Sequence, residues 1–232
     1  MLITPELTPQ VIPLILLAIA IISVFIKPKL WPINLTVTLV AGFAYHTIDV
    51  TGLGIIALLM FLSFHANKLS NKIIKNLTTI LVFISCIALA AHLLPGFNNL
   101  QVLSQVIKSP DSTPFTMFLN FDKPLIIFIL LVLYPTLLIN NKPITIFKMH
   151  NNTQLSVLIT LAFIIIFSLA TLLSLIKYSP HLPSWWWLFA LNNLLLTCVV
   201  EEVFFRGFVQ QRLTKLFNPL SAILFTSFLF GF

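Results

Sequence analysis

At 232 residues, with 59% apolar and only 8% charged side chains and a mean hydropathy of +1.05, this chain cannot cover itself against water. A soluble domain is about a quarter charged. Lipid must cover most of a surface that carries 22 Phe and 4 Trp, which excludes a secreted disulfide module, a disordered tail, a Rossmann-type enzyme and a nucleic-acid-binding domain. The net charge of +7 then reads as a topology signal.

Apolar stretches of membrane-crossing length fall at 10–26, 31–47, 50–66, 76–94, 124–140, 155–176 and 186–206, and another starts at Pro219. Lysine- or proline-containing breaks separate them. The first stretch is a poor signal peptide, with Glu6 and no basic residue before it. With the N-terminus outside, Lys27, Lys29, Lys68, Lys72, Lys75, Lys142, Lys148, Arg206, Arg212 and Lys215 fall inside. Only Lys108, Lys123 and Lys177 of the 13 basic residues fall outside, together with Glu6, Asp49, Asp111 and Asp122. Trp31 near the inner interface and Trp185-Trp186-Trp187 near the outer one fit aromatic belts. The expected fold is all-α: a polytopic transmembrane helix bundle of about seven full spans plus a truncated eighth, N-terminus outside.

The one long break, Pro95 to Lys123, lies outside in this scheme. Leu100, Leu103, Val106 and Ile107 recur there at helical spacing, so a short interfacial helix is expected. Ser184, before the tryptophan run, is expected to cap the helix that follows. Cys86 and Cys198 both sit in apolar runs and read as small core residues, neither disulfide nor metal pair.

Two acids break the pattern. Glu201 and Glu202 are adjacent, late in the seventh apolar stretch, where a single carboxylate costs about 2.5–3.5 kcal/mol to insert. On a helix Glu202 pairs with Arg206 one turn on, whereas Glu201 projects about 100° away with no acidic or basic partner one turn along. An uncompensated, desolvated carboxylate is a candidate general base. The bland alternative has the two acids merely ending the span while Arg206 snorkels to the inner headgroups. Against it stand the positive-inside trend, the two asparagines Asn192 and Asn193, and Gly207, where close packing or a helix adjustment would be useful. The histidines His46, His65, His92, His150 and His181 lie at span ends or in loops. None has the spacing of a metal pair, so each reads as interfacial or structural.

Glu201-Glu202-Val203-Phe204-Phe205-Arg206-Gly207 resembles the Glu-Glu-x-x-x-Arg signature of the CPBP intramembrane proteases, the CAAX prenyl endopeptidases and bacteriocin-processing or immunity (Abi) proteins. Phe208-Val-Gln-Gln-Arg-Leu continues the likeness. The resemblance implies a helix bundle with a polar cavity inside the membrane. It implies Glu201 as the base that activates a water, Glu202 as the group that helps orient it, and Arg206 as the ion-pair partner that holds the carboxylates. It leaves two chemistries open, a glutamate-activated water or a divalent metal such as zinc, for which Glu201 is the one candidate ligand. The implied partners are membrane lipid and a membrane-associated peptide or prenylated-protein substrate. The implied location is a bacterial inner membrane.

The family's second motif, Phe-x-x-x-His, begins at Phe230-Gly231-Phe232, and its histidine would fall two positions past the last residue. From Pro219 onward the helix is about 21 Å long, short of the roughly 30 Å hydrocarbon core. The expectation is therefore an N-terminal fragment, inactive at this length, with 1–150 as variable N-terminal helices and 151–232 as the first part of the protease core. Two other readings remain at this point. One is a non-catalytic immunity or scaffold protein whose Glu-Arg pair holds helices together. The other is a small transporter with Glu201 in a proton relay, although no inverted repeat is visible.

Overall fold

The computed structural model of the chain describes residues 9–109, 112–137, 152–177 and 179–231. Glu6, Asp111, Lys142, Lys148, His150 and Phe232 lie outside the described residues. The architecture is mostly helical, with α1 (Val11–Ile26), α2 (Trp31–Ala44), α3 (Val50–Ala66), α4 (Lys72–Ala90), α5 (Leu125–Leu133), α6 (Asn152–Leu172), a long α7 (Trp186–Leu213) and α8 (Pro219–Gly231). Among the described residues, Lys72–Ala90, Thr153–Leu172 and Trp186–Leu213 are long and apolar enough to cross a membrane, and α1, α3 and α8 are shorter apolar helices.

Local chemistry sets the boundaries. Asn71 accepts hydrogen bonds from the Ile73 and Ile74 amides and starts α4, and Asp49 accepts from Gly52 to start α3. A span over 124–140 was expected, yet α5 stops at Leu133. Tyr134 precedes Pro135, and the residue before proline is pushed out of the helical region, here to φ −135°. No described side-chain bond caps α7, whose N-cap is Trp185, so the expected role of Ser184 is not realised.

The expected interfacial helix at 100–107 is instead a strand, β1 (Leu100–Val106), paired antiparallel with β2 (Phe115–Leu119). The register runs Leu100 to Leu119, Gln101 to Phe118, Leu103 to Met117 and Val106 to Phe115, with irregularities between 101 and 103 and between 103 and 106. Bulges insert extra residues on one strand. A three-residue apolar spacing therefore arises without a helix, and Gln105, with φ +52°, marks the second break.

The core centres on α5, in which Leu125 to Leu131 and Leu133 are all buried. A helix that is apolar all round must be surrounded by protein or lipid, and here α3, α4 and α7 surround it. At one end of the bundle, the Asp49 amide donates to Gly96 O at 3.0 Å and the Asn98 amide to Thr47 O at 2.9 Å. The loop before α5 joins the same end, where His92 Nδ1 lies 2.8 Å from Asp122 Oδ2. At the opposite end Asn67 Nδ2 donates to Leu133 O at 2.6 Å, and the end of α7 meets the first turns of α4. Lys68, Lys72, Lys75, Arg212 and Lys215 thus share one end. Of the cysteines, Cys86 is buried as expected, whereas Cys198 is exposed on α7.

Candidate active site

Glu201 and Glu202 sit in the middle of α7. The apolar stretch read as ending at 206 continues helically to Leu213, so these acids do not terminate a span. The helix is not uniform there. It widens into π-type turns over Asn192–Cys198 and again over Glu202–Gln210, with the α-helical turn Val199–Glu201 between them. Such widenings recur at functional sites because they redirect side chains that a regular helix would place elsewhere. Buried Val200, Val203, Phe204 and Phe208 fix one face of this region. Phe83 of α4 stacks on Phe204 at 5.4 Å with the rings 4° apart.

Gly207 is not demanded by space. A Cβ there would meet Leu137 at 3.8 Å, an ordinary contact. Of the two uses considered for it, helix adjustment fits its place within the second π segment.

Glu202 pairs with Arg206 as the spacing predicts, with Arg206 Nε 3.2 Å from Glu202 Oε2. This pair is open to the surroundings, its side chains being 52% and 74% exposed. Glu201 differs from expectation. It is not uncompensated, because Lys123 Nζ donates to Glu201 Oε1 at 2.7 Å, with side chains 16% (Lys123) and 28% (Glu201) exposed. The partner comes from the start of α5, where helix spacing along α7 cannot reveal it. Lys123 itself is held by its neighbour: the Lys123 amide donates to Asp122 Oδ1 at 2.9 Å. Asp122 is 1% exposed and also accepts from Asn99 Nδ2 at 3.3 Å. Asn99 Oδ1 in turn accepts from the Phe121 amide. A connected polar chain therefore runs from the base of the hairpin to Glu201.

Glu201 borders two cavities. The larger, about 400 Å³, has apolar walls from Ile87, Ala91, Ile126, Phe204 and Phe230, with Lys123 and Glu201 as its charged groups. The smaller, about 170 Å³, is lined by Glu201, Glu202, Arg206, Gln210, Thr226 and Ser227, with Phe205 and Phe230. Helix α8 closes both, and Phe230 packs edge-on against Phe205 at 5.1 Å. Lys123, Thr226 and Ser227 were not foreseen as site residues. The one signal for Lys123 was its position, a lone cation at the start of an apolar run in a chain with one unpaired membrane acid.

Among the described residues the donors do not form a divalent-metal site. Each glutamate is held by a cation, and among the described residues no group of three His, Cys, Asp or Glu converges. His92 faces Asp122 instead.

The fold and site together define a helical membrane protein with two ion-paired carboxylates bordering adjacent clefts. Residues 183–232 match the family model of the type II CAAX prenyl endopeptidase Rce1-like proteins. The resemblance read from Glu201 to Arg206 is thereby borne out, and the matched segment takes in α7 and α8. At family level the match supports a CAAX-type intramembrane protease of the CPBP kind. No curated protein and no solved structure matches the chain.

Proposed function

We propose that this chain carries the catalytic base of an intramembrane endopeptidase that hydrolyses a prenylated or otherwise membrane-associated peptide. The observation that supports it most is the position of Glu201 on the boundary of a mostly apolar cavity and a smaller one that holds the charged and hydroxyl side chains. A lipid-modified peptide suits the first, and a water with its hydrogen-bond partners suits the second. Glu201 takes a proton from that water as its oxygen attacks the peptide carbonyl carbon. The proton then passes to the leaving amine as the C–N bond breaks. Glu202 orients the water, and Arg206 holds Glu202. Hydrolysis also needs donors for the oxyanion, a role for side chains of the family's second and third motifs.

In this reading the basic end of the bundle faces the cell interior and the N-terminus faces outside. Residues 1–150 form the variable helices, and 151–232 the start of the core. The site then draws Lys123 from one part and Glu201 from the other.

The test measures cleavage of a prenylated CAAX-ended peptide in liposomes by the full-length protein and by its Glu201→Gln variant. The parent protein cleaves, and Glu201→Gln abolishes cleavage with folding intact. Cleavage that survives Glu201→Gln would overturn the assignment. The exposure of the Glu202–Arg206 pair on a single helix speaks against the scaffold reading, in which that pair holds helices together.

A further inference from the structure

A second cavity of about 400 Å³ lies away from the glutamates, in the groove between α4 and the last turns of α7. Its walls are apolar, formed by Ile80, Phe83, Phe208, Val209 and Leu213, and its mouth carries Arg212 and Lys215. Both helices that frame it are long and apolar enough to cross a membrane. The groove therefore runs along the bilayer and ends at the basic end of the bundle.

Arg212 is held in an unusual way. Its guanidinium lies over the Tyr134 ring at 4.2 Å and near the Phe208 ring at 5.5 Å. These contacts fix the plane of the group and turn its edge, which carries the N–H donors, away from the ring faces. No described carboxylate faces it. Asp49 caps α3, Asp122 pairs with His92, Glu201 with Lys123 and Glu202 with Arg206. An oriented guanidinium, a lysine and an apolar trough behind them match a phosphodiester with an acyl chain attached.

We propose that this groove binds one anionic phospholipid, with an acyl chain along Phe83 and Phe208 and the phosphate against Arg212 and Lys215. The site does not depend on proteolysis. The bland alternative is that both cations snorkel to whatever headgroups are near. It predicts no preference for one lipid at one site.

Native mass spectrometry of the purified chain reads the difference, with phosphatidylglycerol and phosphatidylcholine offered at equal concentration. The expected result is one retained phosphatidylglycerol, favoured about thirtyfold over phosphatidylcholine, as two nearby cations at about 1 kcal/mol each imply. Arg212→Gln lowers that retention about fivefold, whereas Lys29→Gln, on the α1–α2 turn, leaves it unchanged. Leu213→Trp fills the trough while keeping every charge and lowers retention as well. Thermal melts confirm that each variant folds. Equal retention of the two lipids overturns the proposal, as does unchanged retention in folded Arg212→Gln. Glycerol phosphate that displaces the lipid at equal concentration overturns the lipid as occupant, because a soluble phosphate would then suffice.

Discussion

Lys123 and Glu201 stand 78 residues apart in the chain and 2.7 Å apart in space. The ammonium reaches Glu201 from the start of α5, the helix at the centre of the core. This ion pair ties the segment that bears the glutamate signature to the bundle that precedes it. It also connects Glu201, midway along α7, to the polar chain of Asp122, His92 and Asn99.

Lys123→Met leaves a largely buried carboxylate without its cation. Breaking a fully buried pair costs about 3–5 kcal/mol, and the partial exposure of this one reduces that to about 1–3 kcal/mol. Lys123→Arg should retain most of the stability, and Lys123→Met with Glu201→Gln should recover much of the loss. Melting of the four proteins in detergent measures this. Additive losses in the double variant would show that the two side chains do not interact.

The Glu202–Arg206 pair predicts the opposite scale. Both side chains are exposed and lie on one helix, so Arg206→Ala should cost less than about 1 kcal/mol. In a catalytically competent form the same change should lower kcat by more than it lowers stability. An Arg206→Ala variant that melts earlier than Lys123→Met would favour the scaffold reading, in which this pair holds helices together.

The mostly helical character and the Glu202–Arg206 pair were legible because they are local. Apolar runs bounded by charge, and a spacing of four residues, depend only on neighbouring sequence. What escaped was set at a distance or by backbone irregularity. Lys123 meets Glu201 through tertiary packing. The apolar spacing of Leu100, Leu103 and Val106 imitates a helix because two irregularities in β1 carry them onto partners in β2. The early end of α5 was readable at Tyr134-Pro135, but hydropathy averaged over a long window passes across it. The site is thus half legible. The sequence marks its glutamates as out of place in lipid, whereas the cation that answers Glu201 emerges only from the fold.

Asp122 organises the approach to that cation. It is 1% exposed and accepts from the Lys123 amide and from Asn99, with His92 Nδ1 at 2.8 Å. Asp122→Ala strips these donors of their acceptor inside the protein and should cost at least about 2 kcal/mol. Amides of β1 and β2 should exchange faster, because Asn99 at the hairpin base loses its anchor. Hairpin exchange as slow as in the parent protein would show that Asn99 is held without Asp122.

Two glycines in α3, one half-turn apart, separate close approach from mere helix propensity. A Cβ on Gly52 would collide with the carbonyl oxygen of Gly96 and come within 2.6 Å of the Ile48 side chain. Gly96 itself has φ +90°, a conformation side chains disfavour, so the loop cannot easily retreat. That loop also receives the Asp49 amide at 3.0 Å, which ties the strain to the start of α3. Gly54 faces open space, with nothing within 4 Å of an added Cβ. Gly52→Ala should therefore destabilise by about 1–3 kcal/mol through overpacking, and Gly54→Ala should stabilise by up to about 1 kcal/mol as a better helix former. Melting temperatures moving in opposite directions are the expected result. A shift of the same sign in both would mean that Gly52 does not contact the Gly96 loop.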